Sequence, residues 1–189
     1  MIPTVRAAAL VLAALAGPAR AQPAAVLLPA QSELVFVSTQ MGVPVEGRFR
    51  RFEAQIALDP RQPAAGRVAF DIDTATATLG LPETDAELPK APWFASAAFP
   101  QASFRSSAIK GLGGGRFEVD GVLAIKGRTQ RIVVPVQVTQ DAGSSIAAGS
   151  FTIRRLAFRI GEAEWADTSL VADDVIVRFR LVLKGLPPL

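Results

Sequence analysis

Across residues 117–138, FEVDGVLAIKGRTQRIVVPVQV, apolar and polar positions alternate. Phe117, Val119, Leu123 and Ile125 share one parity, and Glu118, Asp120 and Lys126 share the other. This is the pattern of a strand with one apolar and one polar face. Gly127, in the turn KGRT, reverses the chain, and Ile132, Val134, Val136 and Val138 resume the alternation, so the stretch predicts a β-hairpin. The same period recurs along the chain. Residues 33–39 (ELVFVST) form a first predicted strand, and Gly42 with Pro44 marks the turn after it. Residues 45–58 alternate with a shift of parity: Phe49 lies on one register, and Phe52, Ala54, Ile56 and Leu58 lie on the other. That shift predicts a bulge at Arg50-Arg51. Residues 67–79 set Val68, Phe70 and Ile72 against Asp71 and Asp73. Residues 102–110, 146–160 and 174–183 complete the set, the last with Val175, Val177, Phe179, Leu181 and Leu183 in strict alternation. Residues 83–88 (ETDAEL) are the one short helix expected, ending before Pro89 and Pro92.

Eight antiparallel strands of this kind build a closed barrel or a two-sheet sandwich. Their length and the shortness of the connections favour an up-and-down barrel, and a barrel of eight strands has room for one small ligand. Pro135 has no N–H to give to a ladder, so an edge or a bulge is expected inside the sixth strand, with imperfect closure there.

Residues 1–21 read as a leader rather than as part of the fold. Arg6 is followed by a short apolar run, and Ala19-Arg20-Ala21 is a cleavage pattern that places the mature start at Gln22. Residues 22–189 are then one domain. Loss of Arg6 and Arg20 leaves 18 of the 20 basic residues against 17 acidic ones, so no clustered basic surplus remains for nucleic acid. The chain has no His and no Cys. That excludes a Ser-His-Asp triad, a Cys nucleophile, the usual zinc sites and haem held by His or Cys, although Met41 remains as a haem ligand type.

Paired carboxylates are the catalytic chemistry left. Asp71 and Asp73 share a polar strand face, Asp173-Asp174 enters the last strand, and Glu162 and Glu164 flank Trp165 in a loop. Each also reads as solvated surface. Arginines fall in three groups, Arg48/Arg50/Arg51, Arg154/Arg155/Arg159 and Arg178/Arg180. They fit polar outer faces, or a mouth that meets an anionic head group or a lipid surface. With 11 Phe against 2 Trp and no Tyr, a cavity in this protein would be apolar and poor in hydrogen-bonding groups.

Four ordered segments resemble the YceI-like family of polyisoprenoid-binding proteins. They are VEGRFRRFEAQIALDP (45–60), WFASAAFPQASFRSS (93–107), the central hairpin, and FTIRRLAFRIG (151–161) with Trp165. The sequence departs from the family pattern at Gln40, where many members carry His, at Ala124, which replaces a common Thr, and at Ala157 and Arg159, where Asp and Gly are usual. The resemblance implies a lipocalin-like barrel, export to the periplasm, and carriage or storage of an isoprenoid-type lipid (a polyisoprenoid or a quinone) rather than catalysis. An accessory subunit of a membrane quinone or redox system and a carboxylate-dependent hydrolase are the alternatives. No cofactor is expected beyond the bound lipid. Strand parity, with the resemblance, places Phe36, Phe52, Ile56, Phe70, Phe104, Leu123, Ile125, Phe151 and Phe158 in the lumen as ligand-binding residues. Arg155 and Trp165 are the expected head-group contacts. Expected partners are the isoprenoid lipid, a transient contact with a membrane, and a second copy of the chain in a homodimer, with no nucleic acid.

Overall fold

The computed structural model describes residues 24–141 and 143–189 of the chain. The leader, residues 1–21, and the start at Gln22 lie outside the described residues. Eleven extended segments form a single sheet: β1 (Ala24–Leu27), β2 (Glu33–Gln40), β3 (Val43–Phe49), β4 (Phe52–Ala57), β5 (Arg67–Asp73), β6 (Ala77–Thr78), β7 (Gln101–Gly113), β8 (Arg116–Ile125), β9 (Arg128–Asp141), β10 (Ser144–Arg154) and β11 (Val171–Lys184). They amount to eight strands, because three strands are each broken once. The 3-10 turn Pro29–Gln31 divides β1 from β2, Arg50-Arg51 divides β3 from β4, and the 3-10 turn Thr74–Thr76 divides β5 from β6. Every neighbour pair is antiparallel. β11 closes the ring onto both β2 and β1, with Leu183 opposite Leu27 and Val177 opposite Phe36.

Two tight hairpins at one end follow from local chemistry. Met41-Gly42 joins Gln40 to Val43, and Lys126-Gly127 joins Ile125 to Arg128. All four turn residues have positive φ, as a two-residue turn matching the strand twist requires. The two long connections, residues 79–100 and 155–170, lie at this same end, called the top below. The first holds the only α-helix among the described residues, α1 (Pro82–Asp85), a single turn started by proline and shorter than the 83–88 helix expected.

The break at Arg50-Arg51 has the effect that the parity shift suggested. Arg50 and Arg51 donate their backbone N–H groups to the Thr76 carbonyl and to Thr76 Oγ1, which take the place of ladder bonds. Phe49 and Phe52 thereby both reach the interior. Pro135 also leaves its mark. β9 pairs with β8 from Arg128 to Gln137, but with β10 only from Val136 onward. The β9–β10 ladder ends one residue from the position that cannot donate, and above it the two strands part.

The main departures from the expected strands are four. β1 was not anticipated. The third strand is interrupted at Thr74–Thr76, where the buried Thr74 hydroxyl meets Ser96 Oγ and the Phe99 carbonyl. The seventh strand stops at Arg154 instead of continuing to Ile160, because residues Arg155–Phe158 wind into a 3-10 turn. The last strand starts earlier, at Val171.

The interior divides into two packed zones. Ile56, Leu58, Ile109, Phe117, Val138 and Leu183 fill the base. Leu88, Phe94, Ile125, Ile153, Phe158 and Val175 pack under the top connections. Lys126 fastens the top. Its buried ammonium donates to the carbonyls of Ala91 and Arg159 and to Glu162 Oε2, which joins the β8–β9 turn to both long connections.

Candidate functional site

Between the two packed zones the barrel encloses a cavity of about 310 Å³. That lies at the lower end of the range of ligand pockets, about 300–1,000 Å³. Leu58, Ile109, Phe117, Leu183 and Leu186 line its base, and Thr84, Glu87, Leu88, Trp93 and Trp165 line it near the top connections. Nearly all of the lining is aliphatic or aromatic.

Glycines explain why so many Phe side chains do not fill this space. Gly47 stands opposite Phe36, Gly149 stands opposite Phe179, and Gly121 lies diagonally from Phe104. A Cβ at each would lie 2.2–2.5 Å from the ring beside it. Each ring therefore occupies the recess left by the missing side chain and lies against the wall. All three rings line the cavity. Glycine beneath an aromatic neighbour, usually a local repair for a weak strand position, here also keeps volume open along the axis.

Polar groups in the lining concentrate towards the top. Leu34, Phe36, Ser38 and Gln40 alternate along β2, so the inward face of that strand turns from apolar to hydrogen-bonding as it rises. Gln40 Nε2 lies 3.5 Å from Ser38 Oγ. Thr84 and Glu87 line the cavity from the first long connection, and Glu87 is paired with Lys90. Trp93 and Trp165 stand 5.5 Å apart in a tilted pair that ties the two connections together.

Arg155 lines the cavity too, yet its charge is committed elsewhere. It is 2% exposed. Nε donates to the Ala172 carbonyl, one terminal nitrogen donates to Ile160 and Gly161, and the other donates to Trp165 and Val171. These five carbonyls match the five N–H donors of a guanidinium. Burial pushes its pKa down and Asp173 pulls it back up. Arg155 thus holds residues 160–172 in a loop around itself and has no donor left for a head group.

Of the lumen residues expected, Phe36, Ile56, Phe70, Phe104, Leu123, Ile125 and Phe151 line the cavity, as does Trp165. Phe52 and Phe158 do not. Phe52, just past the Arg50-Arg51 break, is buried in the basal cluster, and Phe158 is wholly buried beneath its own 3-10 turn. Phe179, Phe49, Ser38 and Gln40 line the cavity although none was among the expected ligand-binding residues. The alternation in strands 33–39 and 174–183 already carried Ser38 and Phe179, and Phe49 keeps the inward parity of Val45 and Gly47, while the break that follows it resets the parity for Phe52.

The carboxylates considered for hydrolysis lie outside the lumen. Asp71 pairs with Arg105 and Asp73 with Arg51 on the outer wall. Glu162 is held by Arg159 and Lys126, and these contacts set its pKa below the ordinary value. Asp173 accepts from the Leu156 N–H.

The sequence profile of the YceI-like domain matches residues 26–183. The chain belongs to the YceI-like family. Among the solved structures that this YceI-like chain resembles, Burkholderia cenocepacia BcnA is 41% identical, with a TM-score of 0.80 over 82% of this chain and 98% of that one. A polyisoprenoid binding domain from Saccharophagus degradans, described as implicated in plant cell wall breakdown, is 19% identical, with a TM-score of 0.68 over 87% of this chain and 99% of that one. A UPF0312 protein of Vibrio cholerae strain O395 is 26% identical over 140 residues, 69% of this chain and 74% of the relative. Another, from V. cholerae strain M66-2, is 30% identical over 90 residues, and the match spans about half of that relative, 48%.

Proposed function

We propose that the protein binds one isoprenoid-type lipid inside the barrel and carries it through the periplasm. The observation that carries this reading is a cavity lined almost wholly by aliphatic and aromatic side chains and running from Leu186 at the base towards Trp93 and Trp165 at the top. Each methylene buried there contributes roughly 0.8 kcal/mol, so a few isoprene units give useful affinity without polar recognition of the tail. The polyisoprenoid-binding domain of S. degradans, alike in fold, supports the same ligand class. Among the described residues no helix is long and apolar enough to cross a membrane. The leader pattern at residues 1–21 supports export.

The polarity of the lining favours a tail-down orientation with a neutral head. Ser38, Gln40 and Thr84 offer hydroxyl and amide groups at the top. Among the described residues that line the cavity, Arg155 is the one cation, its donors are occupied, and Glu87 is anionic. A hydroxyl or quinone head fits this set, and a diphosphate meets no free cation in it. A quinone would connect the protein to a redox system, and an isoprenol would make it a simple carrier.

The test is organic extraction of the purified mature protein with mass spectrometry of the extract, followed by titration with a neutral isoprenol and an isoprenoid diphosphate of equal tail length. The reading expects a co-purifying isoprenoid and tighter binding of the neutral head. Failure to recover lipid, together with failure of either ligand to bind, sinks it.

A further inference from the structure

Five of the exposed large apolar side chains lie on the rim beside the top of the cavity, while others such as Val26, Val122, Val133 and Ile176 are spread over the barrel wall. Met41 is 76% exposed, Val43 60% and Leu81 62%, and Leu170 and Trp165 are also open to solvent. Met41 donates its N–H to the Leu170 carbonyl at 2.8 Å, so the β2–β3 turn and the end of the second connection form one continuous edge. The members adjoin the cavity lining, Leu81 by its place between the lining residues Leu79 and Thr84. Met41 follows Gln40, Val43 stands opposite Gln40 in the ladder, Leu170 precedes Val171, and Trp165 lines the cavity itself.

Met41 is also costly where it is. It occupies the first central position of a two-residue turn with φ of 47°, a place that favours Asn, Asp or Gly. A turn needed only to reverse the chain gains nothing from a large thioether pointed at water, whereas an apolar insertion point does.

We propose that this rim, Met41, Val43, Leu81, Leu170 and Trp165, docks on the surface of a lipid bilayer, so that the top of the cavity faces the membrane from which a lipid is taken. The inference rests on the lipid-binding reading and adds to it the surface and the mode of contact. Continuity with the top of a lipid-sized apolar cavity selects a bilayer over a protein as the occupant. Charge selects the mode. The two long connections carry Glu83, Asp85, Glu87, Glu162, Glu164 and Asp167 against Lys90, Arg155 and Arg159. With Lys126 and Arg128 of the β8–β9 turn at the same end, the acidic residues number six against five basic ones, which leaves no basic surplus to hold anionic head groups, so docking works through shallow apolar insertion and not through a basic patch.

The experiment is co-sedimentation of the full mature protein with phosphatidylcholine vesicles and with phosphatidylglycerol vesicles, at low and high salt. Wild type is expected to bind phosphatidylcholine with little salt dependence. The double variant Met41→Asp/Leu170→Asp should lose about tenfold or more of that binding, since two large apolar contacts become charges. Asp is well suited to the turn, so folding should hold. Leu112→Asp, near the end of β7 at the base, should bind like wild type. Uptake of a detergent-solubilised isoprenol by the double variant should stay within about twofold of wild type, since neither residue lines the cavity. The proposal is overturned if wild type does not sediment with phosphatidylcholine, if Leu112→Asp loses binding equally, or if only phosphatidylglycerol binds and salt abolishes it. It is also overturned if the double variant loses isoprenol uptake, because the rim would then belong to the ligand site. Vesicle binding by a wild-type protein that takes up no isoprenol upholds the docking surface and removes the lipid-carrier reading beneath it.

Discussion

Arg155→Met separates a structural arginine from a ligand-binding one. The substitution keeps the apolar stem but strips donors from five carbonyls, those of Ile160, Gly161, Trp165, Val171 and Ala172. An orphaned buried carbonyl costs roughly 1–3 kcal/mol, so five together would rival the whole stability of a domain, about 5–15 kcal/mol. Two of these carbonyls, those of Trp165 and Ala172, are only partly buried, so water can reach them. We therefore expect about 3–5 kcal/mol, the cost seen when one member of a buried charged set is removed. With a urea slope of about 2 kcal/mol per molar, the unfolding midpoint should fall by roughly 2 M. Arg155→Lys keeps the charge with at most three donors and should fall between the two. The assay is urea unfolding followed by tryptophan emission, which reports directly because Trp93 and Trp165 are the only two tryptophans, Trp165 lies in this loop and Trp93 packs against it. On the folded protein, the preference between a neutral and a diphosphate isoprenoid should be unchanged. A midpoint within about 0.3 M of wild type, with selective loss of the diphosphate ligand, would refute the reasoning and return Arg155 to the head-group role.

Three further outcomes follow from the cavity and its fastening. Leu123→Trp, on the cavity wall, should reduce affinity most for the longest tails while costing about 1–3 kcal/mol in stability; a titration series of increasing tail length reads the first effect and denaturation the second. Gly121→Ala should destabilise more than Gly47→Ala. Its new methyl meets the Arg105 carbonyl at 2.5 Å as well as the Phe104 ring, whereas at Gly47 the nearest atoms belong to the Phe36 ring and Leu79, which can shift into the cavity; melting temperatures that rank the other way contradict this. Glu162 has its pKa lowered from 4.5 by hydrogen bonds from Arg159 and Lys126, so its stabilising contribution is complete above 4.5 and is lost as pH falls through the lower folded-state value. Glu162→Gln should therefore be less stable than wild type at neutral pH and converge with it in acid, as a series of thermal melts down the pH scale will show.

Strands with one wet and one dry face announce themselves by period two, which is why the ring of eight was legible from residues such as Val175 to Leu183. The break at Arg50-Arg51 was legible too, because a change of parity has no other cheap explanation. The break at Thr74–Thr76 was not, since the run TATAT keeps alternating and only the contact of Thr74 with Ser96 and Phe99 shows why the chain turns there. β1 escaped because AAVL has no alternation and follows directly on the leader. Residues 155–158 mimic a strand in sequence, yet the guanidinium of Arg155 draws its partners from residues 160–172, a long-range demand that no local pattern carries. The cavity was legible only as an inward face. Which inward residues border open volume depends on the pairing of Phe36, Phe104 and Phe179 with glycines on neighbouring strands, and that pairing exists only once the register is set.

The seam between the first and last strands has a kinetic consequence. Ser32 and Val182, which share a hydrogen bond across it, are 150 residues apart. Joining ends that distant costs roughly 4–5 kcal/mol of chain entropy if nothing between them is yet ordered. The inexpensive route is to zip the successive hairpins from β2 to β11 first, each a local event, and to shut the seam when only two finished edges remain to meet. Until then the sheet is an open trough with its apolar face in water, able to stick to a neighbour or to wrap around a lipid already at hand. Pulsed hydrogen exchange during refolding should show the amides of β1 and β2 that face β11 gaining protection last, and gaining it sooner when an isoprenoid is present to be enclosed.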